Sequence, residues 1–142
     1  AGQTMRRRLC ADTGRRLDAR GCGVSYTNAT PVLRVSDYQR AKAFYRDVLG
    51  FEVQQEAGEP VTGFGILRAG AAQLFLIAWN GPEAEYDSWR VYLYPQDFSA
   101  TVAAIRATGT PVKGPTVTEY GMREVEVTDP DGNVLCLGED AG

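Results

Sequence analysis

One order of patterns runs twice along the chain, and no other feature narrows the fold as much. Thr30-Pro31-Val32-Leu33-Arg34-Val35-Ser36 reads as a strand, with Asp37 behind it as a helix N-cap. Ala41, Phe44, Tyr45, Val48 and Leu49 then fall on one helical face, and Gly50 ends the helix. Strands follow around 51–56, 62–68 and 72–79, the last two joined by a turn at Ala69-Gly70-Ala71. The second half repeats the order. A strand at 89–94 leads to Asp97 as N-cap and to a helix with Phe98, Val102 and Ile105 on one face, ended by Gly109. A short extended stretch at 111–113 precedes a hairpin of 122–128 and 133–138, turned by Asp129-Pro130-Asp131-Gly132. The offset is 60 residues from Asp37 to Asp97, from Tyr38 to Phe98 and from Arg46 to Arg106. A βαβββ unit used twice, over about 30–80 and 88–138, is the organisation these patterns predict.

Length and composition agree with a folded domain. The 142 residues are 44% hydrophobic and 23% charged, which excludes wholesale disorder. No run approaches the ~18 apolar residues of a membrane helix, and no apolar stretch marks a secretory signal, so a soluble, cytoplasmic protein without a membrane partner is expected. The charge is uneven. Residues 1–26 hold six arginines against Asp12 and Asp18, a net +4, whereas residues 27–142 carry a net −7. The basic stretch suits a nucleic-acid arm or a transit-like segment, but it lacks apolar periodicity and reads more simply as an N-terminal extension. Residues 27–142 then form a single domain, and their acidic balance disfavours nucleic acid and favours a cationic partner.

The chemistry is bounded by an absence: the chain has no histidine. That removes Ser-His-Asp and Cys-His devices and the imidazole ligand of most catalytic transition-metal sites. Three cysteines, Cys10, Cys22 and Cys136, are too few and too scattered for a disulfide framework or a thiolate metal site, and a Cys10–Cys22 bridge, though possible, is disfavoured in a chain with no secretory signal.

Four phrases carry a specific resemblance: Thr30 to Asp37, Ala43-Phe-Tyr-Arg-Asp-Val-Leu-Gly-Phe51, Tyr120-Gly-Met-Arg-Glu124 and Asp129-Pro-Asp-Gly-Asn133. Together they resemble the vicinal oxygen chelate superfamily, which includes glyoxalase I, extradiol dioxygenases, fosfomycin-modifying enzymes and bleomycin resistance proteins. The resemblance spans residues 30–140. It implies an α+β fold in which two βαβββ units form a curved mixed sheet with a cleft, often closed by pairing two chains as a homodimer.

The enzymes of that family hold a divalent metal on side chains of the first and last strands of each unit. Carried over by position, those ligands fall on Thr30, Phe75, Arg90 and Cys136. A hydroxyl, a hydrocarbon ring, a cation and a thiol do not make a hard-metal site, so no metal and no cofactor are expected. Residues in phase with these four should face the cleft: Thr30, Val32 and Arg34; Phe75, Ile77 and Trp79; Arg90, Tyr92 and Tyr94; Met122, Glu124 and Glu126; Val134 and Cys136. The other phase is wholly aliphatic, as a core beneath helices requires.

A face of aromatics and charges suits a flat, partly cationic ligand. Metal-free members of the family bind bleomycin-type antibiotics, and Tyr120-Gly-Met-Arg-Glu124 resembles a stretch near their drug site. The resemblance therefore implies sequestration of a planar cationic antibiotic without chemical change, by Thr30, Phe75, Trp79, Arg90, Tyr92, Tyr120, Glu124 and Cys136. Two alternatives use the same residues: a metal-independent enzyme with Glu124 or Glu126 as base and Arg90 on an anionic substrate, and a dimeric interaction protein whose aromatics close the cleft. Cys136 has no histidine to activate it and reads as an inert thiol. Asp129, Asp131 and Asn133 imitate the start of a calcium loop, but Val134 and Asp140 stand where that loop needs Gly and Glu, so a plain turn is expected.

Overall fold

A computed structural model describes residues 24–58, 63–79 and 88–142. Residues 1–23 of the N-terminal extension, with Cys10 and Cys22, lie outside the described residues. The expected order is present twice. The first unit runs β1 (Val32–Val35), α1 (Tyr38–Asp47), β2 (Glu52–Ala57), β3 (Phe64–Ala69) and β4 (Ala72–Ala78). The second runs β5 (Val91–Leu93), α2 (Phe98–Ala107), β6 (Lys113–Val117), β7 (Met122–Thr128) and β8 (Val134–Asp140).

Local chemistry sets the helix limits. The Asp37 carboxylate accepts from the Arg40 N–H at 3.1 Å and Asp97 from the Ala100 N–H at 3.0 Å, so both N-caps act as expected. The chain leaves the helices through left-handed glycines, Gly50 at φ 77° and Gly109 at φ 83°. The strand most displaced from its expected place is β6, which begins at Lys113, the last residue of the expected 111–113 stretch, and is exposed throughout. Its pairing with β7 shifts register between Lys113 and Thr116, where Pro115 has no N–H to donate.

Each unit forms its own four-stranded mixed sheet, ordered β1-β4-β3-β2 and β5-β8-β7-β6. The first strand of each unit pairs parallel with the last, and the other neighbours are antiparallel. Helical crossovers make the parallel pair possible, because parallel neighbours cannot be joined by a tight turn. The aliphatic phase is the core: Leu33, Val35, Leu74, Leu76, Val91, Val125, Val127, Leu135 and Leu137 are buried with Tyr45, Phe51, Val102 and Ile105 in one cluster that includes both units. Burying each such aliphatic side chain contributes about 1.5–3 kcal/mol, which is why one phase of every central strand is committed to it.

Among the described residues, polar contacts join the units at the β7–β8 turn. The Tyr45 hydroxyl, fully buried on α1, donates to Asp129 Oδ2 at 2.8 Å. Asn133 Nδ2 donates both to that oxygen at 2.9 Å and to the Arg34 carbonyl of β1 at 3.0 Å. Asp129 Oδ1 accepts from the Asp131 and Asn133 N–H groups, each at 2.8 Å. The β7–β8 turn is therefore a clasp on the first unit, with its carboxylate and amide spent on protein partners.

Candidate functional site

The opposite phase of the second sheet gathers around Glu124, on β7. Its Oε2 accepts from Tyr92 Oη at 2.9 Å and from Tyr120 Oη at 2.8 Å. The glutamate is 8% exposed, and among the described residues no Lys or Arg forms an ion pair with it. Tyr92 reaches it by crossing β8 at Gly138: a Cβ there would meet the Tyr92 hydroxyl oxygen. Tyr92 continues an aromatic row, with ring centroids 5.3 Å from Trp89 and 4.9 Å from Tyr94. The Trp89 indole N–H donates to Glu126 Oε2 at 3.1 Å, which ties the second carboxylate to the same row.

These surroundings hold the neighbouring acids in their protonated forms. Burial, and then the bond to Glu124, raises the Tyr92 phenol above its ordinary range. For exposed Tyr120 the bond to Glu124 is the larger cause of an upward shift. Burial and the nearby Glu124 and Glu126 push the Cys136 thiol up to about 12. Cys136 is fully buried, so it behaves as a packed thiol and a weak donor, not as a nucleophile.

The same phase of the first sheet is different. Phe75 packs edge-on against Phe64 at 5.2 Å between centroids, and the Arg34 guanidinium lies 4.2 Å from the centre of the Trp79 ring. Trp79 and Arg90 line one cavity of about 390 Å³ together with Val32, Arg34, Ile77 and Asn133. Thr30 lines a smaller one, about 190 Å³, whose wall includes Tyr92. The predicted site residues thus fall into three groups: Tyr92, Tyr120, Glu124 and Cys136 together; Trp79 with Arg90; and Phe75 and Thr30 each with other neighbours. Gly138 was not among the expected site residues. Its signal was available, since it is the glycine that interrupts the cleft phase of an otherwise bulky strand.

The sequence model of the Glyoxalase/Bleomycin resistance protein/Dioxygenase superfamily matches residues 25–137. The chain belongs to that superfamily. Similar solved structures include TnmS3, an antibiotic-binding protein from Streptomyces sp. CB03234, at 28% identity and a TM-score of 0.66, covering 83% of this chain and 98% of that one. A glyoxalase/bleomycin resistance protein from the same organism matches at 30% identity and 0.64, covering 80% and 100%. A bleomycin-binding protein complexed with bleomycin matches at 26% identity and 0.68, covering 81% and 99%. No curated protein sequence matches the chain significantly.

Glyoxalase-superfamily enzymes use a divalent metal, and the residues at the corresponding positions here do not fit one. Phe75 is engaged ring to ring with Phe64 and offers no donor atom. The Cys136 thiol is held protonated, and Arg90 brings a positive charge. Among the described residues, no three His, Cys, Asp or Glu side chains are grouped to hold a metal ion. No helix among them is long and apolar enough to cross a membrane.

Proposed function

We propose that this superfamily member binds a planar, cationic small molecule of the bleomycin antibiotic type and sequesters it without chemical change. One observation carries the reading: Glu124 is nearly buried in a wall of tyrosines and has no protein cation beside it among the described residues. Aromatic faces attract a cationic ring, and an adjacent carboxylate fixes its direction, so a flat cation gains from both at once. Its central contacts are Tyr92, Tyr120 and Glu124, and Thr30, Phe75, Trp79, Arg90 and Cys136 complete the proposed set. The similar structures named for antibiotic and bleomycin binding support this ligand class. The same reading takes residues 27–142 as one domain that works as a cytoplasmic homodimer.

The test is a tryptophan-fluorescence titration with metal-free and copper-loaded bleomycin, since Trp89 stands in the aromatic row. Saturable quenching at about one equivalent per chain is expected, because a sequestering protein saturates and does not turn over. Replacing Tyr92 and Tyr120 together by Ala should abolish it. A folded double mutant with unchanged affinity sinks the site, and product accumulating beyond one equivalent sinks sequestration.

A further inference from the structure

The repeat brings a turn of each unit against the other unit, and the two meetings are not alike. At the clasp, the turn between Thr128 and Val134 is Asp129-Pro130-Asp131-Gly132-Asn133. Its side chains meet the Tyr45 hydroxyl, the Arg34 carbonyl and the Ser36 N–H, which donates to Asp131 Oδ1 at 2.8 Å. Sixty positions on, the counterparts of Tyr45, Arg34 and Ser36 are Ile105, Tyr94 and Gln96. The turn that meets this part of the second unit, between Arg68 and Gln73, is Ala69-Gly70-Ala71-Ala72. It is one residue shorter and has no side-chain donor or acceptor, so it cannot form the clasp's bonds. Leu33, next to the clasped Arg34, is 2% exposed, whereas its counterpart Leu93 is only half-buried.

A cavity of about 360 Å³ lies at this second junction, within the size range of small-molecule sites. Both units supply its apolar lining, Leu49 and Phe51 from the first and Leu93 and Leu137 from the second. Among the described lining residues none carries a charge, and the polar side chains are the half-buried Thr101 and the exposed Gln96 and Tyr94. Packed interiors seldom leave spaces larger than a water molecule, and water beside an apolar wall finds few partners. A neutral body of matching size replaces that water at a gain.

We infer that this cavity binds an uncharged, largely apolar small molecule carrying one amide or hydroxyl group. The apolar body lies between the units on Leu49, Phe51, Leu93 and Leu137. Its polar group meets the Thr101 hydroxyl, which can donate and accept, with the Gln96 amide at the exposed edge. An ion is disfavoured there, because burying a charge without a partner costs far more than burying an amide. The ligand takes the place that the clasp's side chains fill at the corresponding junction. None of the described lining residues belongs to the proposed cation site, so the inference stands apart from that reading.

Titration of the 15N-labelled protein with 2-naphthamide, followed through backbone amide shifts beside the same titration with 2-naphthoate, tests it. The neutral amide should saturably move the signals of Leu49, Gly70, Ala71, Ala72 and Gln96. The carboxylate should need at least about tenfold more to move the same signals. Thr101→Val removes the hydroxyl and keeps a side chain of similar shape, so it should weaken 2-naphthamide roughly two- to tenfold. Ala72→Leu adds bulk at the half-buried start of β4 and should weaken it at least about tenfold. If Ala72→Leu fails to fold, Thr101→Val and the shift map decide. No saturable movement of these signals, equal concentrations of carboxylate and amide, or a folded variant of either kind with full affinity overturns the inference. Shifts gathered instead on Tyr92, Tyr120 and Glu124 place the naphthamide at the cation site and overturn it as well. Glu124→Gln should weaken a planar cation and leave naphthamide binding intact, so the two readings fail separately.

Discussion

Across the first sheet, Val32, Phe75 and Ile66 stand side by side on β1, β4 and β3, and in the second sheet the same row reads Tyr92, Cys136 and Glu126. In the next row Ile77 pairs with Phe64, whereas Gly138 pairs with Glu124. The two glutamates of one unit therefore occupy the register of two apolar residues in the other. The phase beneath the helices shows no such divergence: Leu33 pairs with Leu76 and Val91 with Leu135, all buried. Each unit must bury an aliphatic face to fold, and that requirement fixes one phase of its strands. The other phase is free to carry different chemistry in each copy, and here one face became apolar and cationic while the other became tyrosine-rich and anionic.

Neighbouring residues on one strand give the most forceful way to break this contrast. Leu76 is fully buried and Ile77 is 37% exposed, although both are branched aliphatics on β4. Leu76→Ala should cost about 2–5 kcal/mol, since it opens a cavity in a packed core. Ile77→Ala should cost less than about 1 kcal/mol. Urea unfolding of the two variants is the measurement, and equal losses would mean that the cleft phase is also structural.

The alternation was legible in the sequence because period two survives any error in strand limits: Leu74, Leu76, Leu135 and Leu137 declare a core face by themselves. The cleft phase followed from it, and Tyr92, Tyr120 and Glu124 do converge. Their union required the register of β5, β8 and β7, which no local pattern encodes, so the passage of Tyr92 over Gly138 was invisible. The clasp was hidden for a related reason. Tyr45 and Asp129 are 84 residues apart, and the motif Asp129 to Asn133 looks the same in a free turn as in one that grips a neighbouring helix. Likewise Arg34 and Arg90 belong to different units, and only the packing of one unit beside the other brings them to one cavity.

That packing can be broken next. Asp129→Ala removes the acceptor of four hydrogen bonds and leaves the Tyr45 hydroxyl buried with its partner gone. The expected loss is about 2–4 kcal/mol, because a stranded buried donor costs its full desolvation. Tyr45→Phe removes donor and stranded group together and should cost roughly 1 kcal/mol. Binding of a planar cation centred on Glu124, Tyr92 and Tyr120, which lie in the second unit, should persist in the folded Asp129→Ala variant. Thermal melts and the cation titration on one preparation separate these outcomes.

The smallest effect sharpens the comparison most, because the molecule uses one device twice. Tyr38, at the start of α1, crosses β3 at Gly65 and donates to Glu56 at 2.9 Å, as Tyr92 crosses β8 at Gly138 to reach Glu124. Glu56 also receives Lys42 at 2.8 Å, and these bonds from Lys42 and Tyr38 hold its carboxyl below the usual range. It is a closed surface pair, whereas Glu124 has tyrosines and no cation among the described residues. In both places an added Cβ would strike the hydroxyl and the adjacent ring carbons of a tyrosine, so the ring must move. Gly65→Ala and Gly138→Ala should therefore each cost about 1–3 kcal/mol. Their consequences should differ. Displacing Tyr92 removes both causes that raise its phenol, burial and the bond to Glu124, so Gly138→Ala should bring one tyrosine back toward the ordinary phenol range. A phenol raised in the folded state destabilises the fold as pH climbs past its unfolded value, because the unfolded chain ionises first. Gly138→Ala should then soften the alkaline loss of stability and weaken cation binding together. Gly65→Ala should soften the same alkaline limb through Tyr38 and leave cation binding unchanged. Tyrosinate absorbance and urea unfolding followed above pH 9, beside the cation titration, read both. Equal loss of cation affinity in the two variants would show that the second face owes its ligand to something other than the Tyr92–Glu124 bond.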